Sequence, residues 1–414
     1  YMSYLMWLLP LSFFAYQFIL RLWPSLMMPQ IMQQFNIDAT GFGLLASAYY
    51  YGYAGAQIPV ALLLDRFGVK YILFFCAMLC GLATLTFTMV DHWEIALLSR
   101  FLVGVGSAAG FLAVSKVITQ WFPKAHYGRM VGFSFSLGLM GAIYGGKPIG
   151  LLVSEWGGHD VAITLGIVSM LIGLLGYVFL RDSSAPFEGK FSQEKSFSMK
   201  DLKGILMSPS LVLLAIANLL MVGVLEGFAD VWGVSYLMVA YGTTKVDAAA
   251  LISFIFVGML FGGPVLAYVS KRFGTYGVIS FCGLGIAFLL SYLILGSREF
   301  NSVFLGGLFF VVGLFCCYQV LVFSAASHMV SERFLGVTVA FLNCINMLGG
   351  SFFHSLIGFF MDLYWSEGMS EGVRQYDLRS YIYALMLIPI CAVIGSLIVI
   401  GVGVRLQKKE HVYG

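Results

Sequence analysis

Charge is scarce in this sequence. Only 10% of its 414 residues are Asp, Glu, Lys or Arg, and six are histidine. Water-soluble domains carry roughly 25% charged residues, so a soluble globular fold is excluded. Polar stretches are also short. The longest runs from Arg181 to Ser208, too little for the soluble domain of a receptor. No Gly-x-x-x-x-Gly-Lys-Ser/Thr sequence is present, which removes ATP as the energy source. A membrane enzyme would need a His/Asp or Ser/His constellation on facing loops, or a metal cluster, and the sequence offers neither. The seven cysteines (Cys76, Cys80, Cys282, Cys316, Cys317, Cys344 and Cys391) all lie inside apolar runs. Cys76 and Cys80 share a helix face without His or carboxylate nearby, so they read as small hydrophobes. Neither a metal nor a cofactor is expected, and no nucleic-acid partner. No cleavable-signal pattern opens the chain, so the first apolar run is expected to remain a span.

What is present is apolar. The hydrophobic fraction is 60% and the mean hydropathy +0.91. Apolar runs of about 18 residues or more recur, each able to cross a hydrocarbon core roughly 30 Å thick. They lack a β-like alternation and are rich in glycine, which suits close helix packing in lipid. The reading is an all-α integral membrane protein. Breaks at polar and Gly/Pro clusters predict twelve spans at 4–31, 41–64, 71–90, 94–119, 128–152 and 160–180, then 209–238, 246–269, 276–296, 302–327, 335–361 and 381–405. The polar segment divides them into domains 1–181 and 209–414, with a linker at 182–208.

Lys and Arg set the orientation. With the N-terminus inside, fifteen fall in inner loops, linker and tail, against four outside: Lys245, Arg298, Arg374 and Arg379. That asymmetry places both termini and the linker in the cytoplasm. Short outer loops and the absence of a targeting extension lead to the expectation of a bacterial inner membrane, and a monomer is expected.

A charged decapeptide, "LLLDRFGVKY" from Leu62 to Tyr71, interrupts the apolar pattern, and its Arg-Phe-Gly returns 206 positions later within "AYVSKRFGTY". Both copies are expected in the short inner loop after the second span of their half, with Gly68 and Gly274 allowing the reversal. Two pseudo-symmetric six-helix bundles, related by duplication, would leave such a trace. Asp65 sits badly for the dipole of a helix C-terminus, so a partner is expected, an arginine or a neighbouring helix N-terminus. A purely topogenic loop is the alternative.

Several stretches resemble the major facilitator superfamily of transporters. "ALLLDRFGVKYI" is similar to its Gly-x-x-x-Asp-Arg-x-Gly-x-Lys loop, with Ala61 in place of the leading glycine. "SRFLVGVGSAAG" resembles the fourth-span Arg-x-x-x-Gly-x-Gly motif, and "GLMGAIYGGKPIG" the glycine-rich fifth-span motif, although Lys147 stands where the exporter version has glycine. "YYYGYAGAQIP" resembles metabolite-uptake branches. The resemblance implies two bundles around a central cavity that opens to each side in turn. It also implies a conformational role for a cytoplasmic latch of Asp65, Arg66, Gly68 and Lys70, echoed by Lys271 and Arg272.

Ionisable groups inside spans cost at least about 2.5–3.5 kcal/mol each and so need reasons. Arg21 lies deep in the first span, one turn beyond Gln17 and ahead of Pro24 and Pro29, which could free carbonyls to line a cavity. A guanidinium can grip a carboxylate through two parallel hydrogen bonds. A structural arginine paired with an acid is the other reading. Glu226 and Asp230, one turn apart, are the only acids placed within spans. Two carboxyls on one face disfavour joint ionisation, which equips them for proton coupling or gating. Asp230 at the outer interface is the alternative, and Arg21 and Glu226 might meet across the cavity. Lys147 could neutralise a second carboxylate or snorkel outward. Arg100 has equal claims to structure and to proton coupling. Lys116 is expected to snorkel, and His328 and His354 to lie near span ends. Asn343 and Asn346 share a face and could bind substrate or another helix. Tyr50, Tyr53 and Gln57, with Tyr49 and Tyr51, should contribute to the pathway.

A cavity basic on one wall and acidic on the other suits an organic anion or a zwitterion such as an amino acid. The expected function is symport: proton-coupled import of a small carboxylate-bearing metabolite, energised by the proton gradient. A citrate-type siderophore as substrate, or export, are the alternatives within transport.

Overall fold

The protein is represented by a computed structural model that describes residues 2–123, 126–181, 208–330, 335–370 and 372–413. The expected linker falls almost wholly outside them. Eleven helices are long and apolar enough to cross a membrane: Met2–Phe35, Val69–Met89, Trp93–Trp121, Arg129–Trp156 and Gly158–Phe179, then Pro209–Tyr241, Lys245–Phe273, Thr275–Leu295, Ser302–His328, Thr338–Leu363 and Leu378–Gln407. A further helix, Ala39–Phe67, has 29 residues, about 43 Å at 1.5 Å per residue. Its four tyrosines and Gln57 make it less apolar than the rest. Counted with it, the spans number twelve among the described residues. They group into two compact units, the first holding spans one to six and the second spans seven to twelve.

Polar residues start several helices at the expected places. Asp38 accepts from the Gly41 amide at 2.9 Å, Asn301 from Phe304 at 2.8 Å and Asp377 from Ser380 at 2.9 Å. Each satisfies an amide that has no partner within its helix. At the two charged decapeptides the expected loops shrink to one residue. The second span runs through Asp65, Arg66 and Phe67, Gly68 turns the chain with φ 82°, and the third span starts at Val69. The eighth span likewise includes Lys271, Arg272 and Phe273, and Gly274 turns with φ 81°. The latch residues before each glycine therefore belong to a last helical turn rather than a loop. The positive φ explains the two glycines, since a side chain is strained there.

Glycine also sets how closely helices approach. A Cβ on Gly104 in the fourth span would lie 1.9 Å from the Tyr49 carbonyl oxygen, and one on Gly52 would lie 2.1 Å from that of Phe101. The second unit repeats the device. A Cβ on Gly258 would lie 2.1 Å from the Phe310 carbonyl oxygen and one on Gly313 1.9 Å from that of Ile255. Gly52 and Gly258 are separated by the same 206 residues as the Arg-Phe-Gly triplets of the two charged decapeptides. The fifth-span glycines meet the first span: a Cβ on Gly141 would lie 1.8 Å from the Ala15 carbonyl oxygen, and one on Gly138 would meet the Phe14 ring. Such contacts are how helices associate where lipid supplies no hydrophobic drive between them.

Several spans depart from regular α geometry, among them the first, fifth and seventh. The first tightens to a 3-10 turn over Trp23–Met27. The fifth breaks at Gly146, and the seventh widens into π-helix over Gly223–Trp232. Wide turns of this kind are frequent at functional sites.

Gly104→Ala is expected to destabilise the protein by about 3 kcal/mol, at the top of the overpacking range, because the obstacle is backbone. Gly55→Ala, where a Cβ meets nothing within 4 Å, should leave stability unchanged. Thermal denaturation of both variants in detergent checks the contrast.

Candidate functional site

In the first unit the breaking turn of the first span faces a tyrosine-rich stretch of the second. Tyr49, Tyr50, Tyr53 and Gln57 are buried, whereas Tyr51 is exposed. Pro59 sits two residues beyond Gln57 in the same helix. The Tyr49 hydroxyl donates to Gln17 Oε1 at 3.2 Å, and the Tyr49 and Tyr50 rings meet edge to face at 5.5 Å. The Arg21 guanidinium lies over the Phe18 ring at 4.9 Å and over Tyr50 at 5.9 Å. It is half-buried. The structure thus brings together Gln17, Arg21, Tyr49 and Tyr50, with the Tyr53 ring tilted against Tyr49 at 6.1 Å.

Arg100 joins this group from the fourth span. Its side chain is buried and lies over Tyr49 at 5.3 Å. Nη1 donates to the Leu20 carbonyl at 2.9 Å and Nη2 to the Arg21 carbonyl at 3.4 Å. Neutral carbonyls and ring faces, not a carboxylate, therefore meet its charge. Two guanidiniums framed by aromatic rings make a positive, partly desolvated corner. A cation–π contact stabilises a desolvated guanidinium such as that of Arg100 by about 2 kcal/mol.

Lys147 begins the helix that resumes after Gly146, and its side chain is exposed. The preceding Gly145 lies against Leu22 and Ile19, so the break in the fifth span adjoins the turn that carries Arg21.

In the second unit Glu226 and Asp230 are 2% and 1% exposed. The expectation that Asp230 might reach the outer interface is not met, because the whole π-helical stretch is buried. Gly223 and Gly227 on the same stretch receive Phe353 of the eleventh span, at 2.5 Å and 3.1 Å from a notional Cβ. Five residues before Gly223, Asn218 Nδ2 donates to Asn346 Oδ1 at 3.0 Å. Both asparagines are buried, so Asn346 joins two helices, and Asn343 on the same helix is half-buried. His354 was expected near a span end but is fully buried within the eleventh span. The helix continues to Leu363, which carries His354 inward. His328 is exposed at the end of its span, as its position implied.

At the inner ends the partner of Asp65 is a lysine. Lys116 Nζ lies 2.5 Å from Asp65 Oδ1, so Lys116 does not simply snorkel. The side chains are 36% and 65% exposed, and exposed pairs contribute at most about 1 kcal/mol. A contact that weak is easily broken and remade. Arg66 lies over Phe67 at 5.3 Å, Arg272 over Phe273 at 5.6 Å, and Lys70 over Tyr177 at 4.9 Å. Sequence reasoning missed Asn218 and the pairing of Lys116. The first carried a faint signal, as an amide inside an apolar run. The second carried none.

Two curated relatives and one solved structure place this geometry in context. The Probable sulfoacetate transporter SauU of Cupriavidus necator is 30% identical over 159 residues, 38% of this chain and 37% of that protein. The alignment thus spans little more than a third of its length. The Probable galactarate/D-glucarate transporter GudP of Escherichia coli strain K12 is 24% identical over 311 residues, 66% of this chain and 67% of that protein. A bacterial homologue of the human lysosomal transporter Spinster, solved inward-facing and unoccupied, superposes with a TM-score of 0.75 over 97% of this chain and 95% of its own, at 17% identity. That likeness concerns the fold alone. The family profile of the Major Facilitator Superfamily matches residues 8–354. The two six-helix units, the glycine-fastened second and fourth spans and the charged turn at Asp65 are those of a multi-pass membrane protein that belongs to the Major Facilitator Superfamily.

Proposed function

We propose that this protein is a secondary transporter that imports small organic anions bearing a carboxylate, by alternating access and with proton coupling. The observation that carries the reading is the corner of Arg21 and Arg100. There a fork-shaped cation lies among aromatic rings, and the second charge beside it is met by two carbonyls and the Tyr49 ring. A carboxylate is the complementary ligand, because it accepts two parallel hydrogen bonds from one guanidinium. The names of the relatives, which carry sulfoacetate and galactarate or D-glucarate, support a short anion over an amino acid or a siderophore. Gln17, Tyr50, Tyr53 and Gln57 would bind the hydroxyl or sulfonate oxygens of such a substrate, and Lys147 a second anionic end.

Proton coupling is assigned to the buried carboxyls Glu226 and Asp230 of the second unit. A carboxyl inside a span is costly to place there and needs a reason, and alternating access would expose it to a proton from one side and let it go to the other. The Asp65–Lys116 contact acts as a latch on the cytoplasmic side. Both termini face the cytoplasm, and the membrane is a bacterial inner membrane.

Glu226→Gln is nearly isosteric with the protonated acid. In proteoliposomes it should retain exchange of D-glucarate or sulfoacetate across the membrane and lose accumulation driven by a pH gradient. Uphill uptake by Glu226→Gln would remove Glu226 as the proton carrier. Arg21→Lys keeps the charge and loses the planar fork, so the affinity for the same anions should fall at least about tenfold, the equivalent of one charge-assisted hydrogen bond. Unchanged affinity, read by titration calorimetry, would make Arg21 a structural residue.

A further inference from the structure

The turn that presents Arg21 contains a missing hydrogen bond, and Arg100 lies where the missing donor would be. Pro24 follows Arg21 by three residues. In α geometry the amide of residue 24 donates to the Leu20 carbonyl, and in the tighter 3-10 pattern it donates to that of Arg21. Proline has no amide hydrogen and donates to neither. Those two carbonyls are the ones that Arg100 holds, at 2.9 Å and 3.4 Å, just where the first span changes from α to 3-10 geometry. Left alone, each would be a buried acceptor without a donor, a costly state in a protein interior.

The reach across helices has its own cause. Gly104, one turn beyond Arg100, brings the fourth span into backbone contact with Tyr49. The guanidinium then lies over the Tyr49 ring, 5.3 Å from its centre. Both terminal nitrogens reach the first span from there.

We infer that Arg100 is a positioning residue: it stands in for the hydrogen-bond donor that Pro24 lacks, and so fixes the turn from which Arg21 meets a carboxylate. The effect on ligand affinity rests on the function proposed above; the replacement of the proline donor does not. The arginine is needed for its two donors rather than for proton transfer. It becomes dispensable once residue 24 has an amide hydrogen and the turn can return to α geometry, in which the amides of residues 24 and 25 serve the two carbonyls.

The test is a double-mutant cycle between Arg100 and Pro24 in the full-length protein. Arg100→Met keeps length and volume but has no donor, and Pro24→Ala restores the amide hydrogen. Dissociation constants for D-glucarate and sulfoacetate are measured together with hydrogen exchange of the peptide spanning residues 18–28. In the wild-type background Arg100→Met should weaken binding and speed exchange by about tenfold each, and in the Pro24→Ala background by less than about twofold. Arg100→Lys retains the charge and one directed donor, so it should fall between. It also serves if Arg100→Met does not fold. Equal effects of the Arg100 variants in both backgrounds would overturn the inference, as would faster exchange with unchanged affinity. If wild-type protein binds neither anion, the transport reading fails, and the exchange cycle still decides whether Arg100 replaces the proline donor.

Discussion

Backbone contact at glycine is the constraint on which the rest of this molecule depends. The Gly52–Phe101 and Tyr49–Gly104 contacts press the second and fourth spans together until a methyl group no longer fits between them. Only at that spacing can Arg100 reach past the second span to the first, and only then does Tyr49 lie beneath its guanidinium. The fifth-span glycines do the same on the other flank, seating the helix against Phe14 and Ala15. The glycine motifs are therefore not simply loose joints. They let Arg100 and Tyr49, from two further helices, converge on the turn that carries Arg21.

The broken turn itself follows from a conflict between two requirements. A membrane helix must satisfy its own backbone, yet a binding site needs side chains aimed inward at a defined angle. Pro24 breaks the hydrogen-bond ladder and Arg100 repairs it from outside, which leaves Arg21 on a turn of unusual geometry. The second unit answers the same conflict differently. There the seventh span widens into π-helix around Glu226 and Asp230, and Gly223 and Gly227 accept the Phe353 ring. One half of the duplicated chain thus presents a cation from a tightened turn, and the other presents carboxyls from a widened one.

Much of this was legible in the sequence. The duplication shows in the charged decapeptides at a fixed offset, and the twelve spans follow from hydropathy and glycine or proline breaks. Arg21, Gln17, Tyr50 and Glu226 stand out because charge and amide are costly among apolar residues. What could not be read was pairing across helices. Nothing in the sequence near Lys116 points to Asp65, fifty-one positions away, nor does anything near Asn218 point to Asn346. His354 looked like an interfacial residue because the end of its helix was placed two residues early. Arg100 appeared to have a choice between structure and proton transfer, and only the carbonyls it holds reveal what its donors do.

The central claim is that a carboxylate is recognised in the first unit by the Arg21 corner. It is tested most directly by titrating purified wild-type protein with D-glucarate and with D-glucitol, its neutral analogue in which both carboxylates are replaced by alcohols. The account predicts saturable binding and a raised thermal midpoint with D-glucarate, and neither effect with D-glucitol at the same concentration. Equal stabilisation by the two compounds, or no response to D-glucarate, sulfoacetate or any other short carboxylate, would contradict it.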